Sequence, residues 1–167
     1  MLKSNKGVNM FPKYPKQPQT EHDRIRELSY KLDMLLSGIG YDVEERDREQ
    51  IFGKQSYLEE IKSKIDIALE SGVKIDNIGR VSCLNSLLEG CRTLPEMYRN
   101  SITAELTAYI IDKGADVVSS GCIYNDMPPL KLATMFGYDE SVTNLIKTAI
   151  QKQTASQPAS EESALER

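Results

Sequence analysis

Glu105-Leu-Thr-Ala-Tyr-Ile-Ile-Asp-Lys-Gly-Ala-Asp-Val117 reads as the close of one helix and the turn that leads out of it. Ile102, Leu106, Tyr109 and Ile110 recur at three- and four-residue spacing, so the pattern predicts a helix over residues 101–113 with one buried face. Gly114 stops it, because glycine takes the left-handed backbone geometry that closes a helix at little cost. Ala115 is small where the outgoing chain must pass close by.

The same grammar recurs on both sides. Downstream, Pro128-Pro-Leu-Lys-Leu-Ala-Thr-Met-Phe-Gly-Tyr-Asp-Glu-Ser-Val-Thr-Asn-Leu-Ile146 predicts a helix opened by Pro128-Pro129 and reaching Phe136. After the break at Gly137 a second helix follows, from about Asp139 to Ile150. Upstream, Ser56 with Glu59 three residues on predicts a capping box that opens a helix ending at Ser71 and Gly72, with Leu58, Ile61, Ile65, Ala68 and Leu69 as its apolar face. A shorter helix is expected from Ser82 to about Glu89, then a loop carrying Pro95. Residues 23–37 place Ile25, Leu28, Leu32, Leu35 and Leu36 on one stripe that stops at Gly38 and Gly40. Strand signals are scarce, so the fold class is all-α, helical hairpins joined by short loops.

These pieces resemble the ankyrin repeat. Residues 105–117 are similar to its second helix and turn, an acidic residue followed by an apolar run and Gly-Ala-Asp-Val. Residues 128–146 are similar to its Thr-Pro-Leu-His-Leu-Ala opening, its Gly-His turn and its second helix. Residues 65–75 followed by 82–88 form a weaker third copy, in which Gly72 is the equivalent of Gly114. The two glycines lie 42 residues apart against a usual repeat of about 33, which predicts an insertion in a loop around residues 92–100. The resemblance covers roughly residues 56–150, with residues 23–37 as a divergent first helix, and implies a short ankyrin-like solenoid of stacked helical hairpins. Leu130, Ala133, Val142, Leu145 and Ile146 would fill the space between layers. Lys131 stands where the family has histidine and Pro128 where it has threonine, so the hydrogen bonds that join neighbouring repeats there are lost and a lower stability is expected. A helical bundle without repeat symmetry is the alternative that the residues alone leave open.

Residues 1–20 hold four lysines, no acid and Pro12, Pro15 and Pro18, so residues 1–22 are expected to be a flexible basic arm. Residues 151–167, rich in Ser, Ala, Gln and Glu around Pro158, are expected to be a disordered acidic tail. Residues 23–150 are then one domain, as the 167-residue length suggests. The alternating run Glu44-Glu45-Arg46-Asp47-Arg48-Glu49 is expected on an exposed helix or solvated loop.

The net charge of −4 is too small to name a partner. No stretch supplies the apolar core of a secretory signal or the roughly 18 consecutive apolar residues of a membrane span, so no membrane insertion is expected. Cys83, Cys91 and Cys122 lack paired C-x-x-C spacing and His22 is the one histidine, so buried reduced thiols in a cytoplasmic protein are expected, with no metal and no cofactor.

No residue set points to catalysis. His22 sits at the border of the arm, Asp112 and Asp116 flank a turn, Glu59 and Glu60 open a helix, and no Gly-rich phosphate loop with lysine is present. Recognition remains. The resemblance implies a concave face, on which the variable binding positions fall at Tyr124, Asn125, Met127, Met135 and Phe136, with Arg80 and Glu89 in the preceding repeat. Aromatic and methionine side chains suit an interface centre, though Met135 and Phe136 read equally well as core or cap residues. The loop with Met97 and Tyr98 is a further candidate.

The function expected is non-enzymatic binding of another protein. A more specific version comes from residues 160–167, which resemble the glutamate-rich C-terminal signals of effectors that some intracellular bacteria export by type IV secretion, and which would place the protein in a host cytosol. Two other classes stay open. One is a regulatory subunit of an enzyme complex; the other is a nucleic-acid binder using Lys3, Lys6, Lys13 and Lys16 with Phe11 and Tyr14, for which four scattered charges are a weak footprint.

Overall fold

The computed structural model describes residues 20–40, 55–76, 82–118 and 127–156. Among these residues there are six helices and no β-strand: α1 Glu21–Ser37, α2 Gln55–Glu70, α3 Cys83–Cys91, α4 Glu96–Asp112, α5 Pro129–Met135 and α6 Glu140–Ser156. The basic arm up to residue 19, the charged run at 44–49, Arg80, Cys122, Tyr124, Asn125 and the secretion-like residues 160–167 lie outside the described residues.

Contacts arrange the helices in two rows. α3 lies between α1 and α5, and α4 lies between α2 and α6, while α1 packs on α2, α3 on α4 and α5 on α6. One core runs between the rows, built on Leu36, Ile65, Leu84, Leu87, Leu88, Leu106, Ile110, Leu132 and Ile146, all fully buried. No described helix is long and apolar enough to cross a membrane.

The helix ends depart from expectation at four places. α1 begins two residues early because Thr20 caps it: Thr20 Oγ1 accepts from Asp23 N–H at 3.1 Å, and Asp23 Oδ2 accepts from Thr20 N–H at 3.3 Å. The arm therefore yields Glu21 and His22 to the first turn. α2 begins at Gln55, which leaves Ser56 inside the helix rather than capping it, and Glu59 is held by Gln55 Nε2 at 3.0 Å.

The third departure removes the expected insertion loop. Pro95 stands just before α4 and its carbonyl accepts from Tyr98 N–H and Arg99 N–H, both at 2.9 Å, so residues 96–100 are helical. Proline fits there because the first helical N–H groups have no partner inside the helix. Tyr98 packs against the core while Met97 is 67% exposed. The fourth departure is at the tail. α6 runs to Ser156, and Gln153 donates from Nε2 to the Ala115 carbonyl at 2.9 Å and accepts from Val117 N–H at 3.4 Å. Six residues of the expected tail thus belong to the fold.

The turns after α2 and α4 are superimposable in kind. Gly72 and Gly114 have φ of 93° and 92°, and the following N–H groups, of Val73 and Ala115, reach back to the carbonyls of Ala68 and Ile110. Val73 and Ile75 are buried after the first turn, as Ala115 and Val117 are after the second. Asp76 Oδ1 accepts from Asp116 N–H at 2.8 Å, which ties one turn to the next.

Of the five residues expected between layers, Ala133, Val142 and Ile146 are buried, but Leu130 and Leu145 are only half-buried; Leu132 fills the core instead. Two side-chain hydrogen bonds tie α3 to the chain on either side of α5. Tyr138 Oη donates to the Leu88 carbonyl at 2.6 Å in the core, and Asn85 Nδ2 donates to the Met127 carbonyl at 3.1 Å. On the opposite row, Lys62 pairs with Glu105 at 2.6 Å and Lys113 with Asp66 at 2.7 Å, both across α2 and α4.

Candidate protein-binding face

α3 is the middle helix of its row, and that position explains its side chains. Eight of its residues are buried, including the polar Asn85 and Ser86. Ser86 Oγ donates to Asp33 on α1 at 2.5 Å, and Asn85 reaches the chain entering α5, so the short polar side chains hold the two flanking helices. Ser82 Oγ, Asn85 Oδ1 and Glu89 Oε2, spaced along one side of α3, have no hydrogen-bond partner among the described residues.

The cysteines of α3 are buried and unbridged. Burial pushes the Cys91 thiol up to about 12 and raises Cys83 as well, so both stay protonated and behave as packing groups. Burial also raises the Tyr138 hydroxyl, which stays a donor to Leu88. Among the described residues no three His, Cys, Asp or Glu side chains cluster closely enough to hold a metal ion.

Four of the seven residues expected to bind a partner lie within the described residues. Glu89 Oε1 holds Arg92 at 3.2 Å, and the Arg92 guanidinium lies 5.3 Å from the Phe136 ring centre, so these three form one chain of contacts from the end of α3 to the end of α5. Phe136 meets Tyr138 edge to face at 6.5 Å and is half-buried, which makes it a packing residue. Met127 is half-buried, with its carbonyl engaged by Asn85. Met135 is 50% exposed and is the one of the four that offers free apolar surface.

Two residues of the same row were missed by the sequence argument. Tyr30 and Met34 stand 63% and 53% exposed on α1, one helical turn apart and off its buried stripe of Ser29, Leu32 and Leu36. Their signal was legible: two large apolar side chains at four-residue spacing lie outside the pattern that explained the rest of the helix. Arg92, which links Glu89 to Phe136, carried no signal because its role depends on where α5 ends.

The row α1, α3, α5 therefore presents exposed apolar side chains on both outer helices and a polar, partly charged centre at Glu89 and Arg92. No known protein family, no curated protein and no solved structure matches this chain.

Proposed function

We propose that the chain is a protein-interaction module of three stacked ankyrin-like hairpins, α1/α2, α3/α4 and α5/α6, that binds a partner protein across the outer side of the row α1, α3, α5. The hairpin reading is supported by the two-row arrangement and by the matching glycine turns at Gly72 and Gly114. The binding reading is carried by Tyr30, Met34 and Met135, exposed on the two helices that flank α3. Aromatic, methionine and arginine side chains are enriched at interface centres, where they bring large contact area. Arg92, already steadied by Glu89 and Phe136, is pre-organised for such a contact.

The test compares intact protein with a Tyr30→Ser, Met34→Ser, Met135→Ser variant in affinity capture, after circular dichroism has shown equal helix content. All three side chains are at least half exposed, so the variant should fold. A partner held only by the intact protein supports the face; equal recovery by both removes it.

A further inference from the structure

We draw no further inference here: the strongest candidate, the open groove of about 690 Å³ between α4 and α6 lined by Ala108, Ile111, Leu145 and Ala149, carries nothing because nothing in the structure shows what covers it.

Discussion

Gly90→Ala sets local helix preference against tertiary packing and asks which is larger. A Cβ at Gly90 would lie 1.9 Å from the Leu36 carbonyl oxygen, 2.9 Å from the Ser37 carbonyl carbon and 3.0 Å from the Leu36 carbonyl carbon. Carbon and oxygen approach comfortably to about 3.3 Å, so α1 and α3 would have to part by more than about 1 Å. All three obstacles are main chain, and no rotamer change relieves them. Parting the helices also loosens Leu36, Leu87 and Leu88, which are fully buried at this contact. Overpacking of this kind costs about 1–3 kcal/mol, whereas replacing a helical glycine by alanine returns about 0.5–1 kcal/mol. The net effect is a loss of roughly 1–2 kcal/mol, with packing as the winner. For a urea slope of about 1–3 kcal/mol/M, the unfolding midpoint should fall by about 0.3–2 M. Urea titrations followed by circular dichroism at 222 nm measure this, with Ser63→Ala on the exposed side of α2 as a control whose midpoint does not fall. A midpoint for Gly90→Ala at or above that of the parent would mean that α1 and α3 do not approach as described.

Three further changes probe the ends of α6. Gln153→Ala removes one donor and one acceptor from the backbone of Ala115 and Val117, and should cost about 1–3 kcal/mol because those groups are left without partners. A chain ending at Ile150 should unfold at least as easily, and an unchanged melting temperature for either would show that the last turn of α6 lies outside the cooperative fold. Asp139→Ala should cost about 1 kcal/mol, since Asp139 Oδ1 accepts from Ser141 N–H at 2.9 Å and so caps α6. The Ser141 hydrogen bonds hold the Asp139 carboxyl below its ordinary value. The stabilisation is therefore complete above the unfolded value of about 3.9 and is lost as pH falls through the lowered folded value. The difference between parent and variant in urea should close on acidification below about pH 4, and a constant difference would refute the cap.

The helices and their turns were legible in the sequence because both are local. Apolar spacing over three or four residues placed α1, α2, α4 and α6, and Gly72, Gly114 and Gly137 marked turns where the backbone does take positive φ. What failed locally failed for identifiable reasons. Pro95 reads as a loop breaker, yet proline is equally at home at a helix start, and only packing of Tyr98 on the core shows which applies. Gln153 sits in polar, low-complexity sequence, and its role appears only when the Ala115 turn lies beside it.

The candidate faces were legible in part. Met135 followed from the repeat resemblance, and the structure leaves it exposed, whereas Phe136 and Met127 are drawn into contacts with Arg92 and Asn85. Tyr30 and Met34 stood in the open in the sequence but gained meaning only from sharing a row with α5.

By itself the sequence determined the all-α class and most helix boundaries, since hydrogen bonds between residues four apart and a one-sided apolar stripe need no distant partner. Only the tertiary structure decided which side of each helix is left uncovered, where Gly90 lets α1 and α3 touch, and that α6 continues through Gln153. Those outcomes depend on atoms brought together from distant parts of the chain, and a one-dimensional pattern carries no record of such distances.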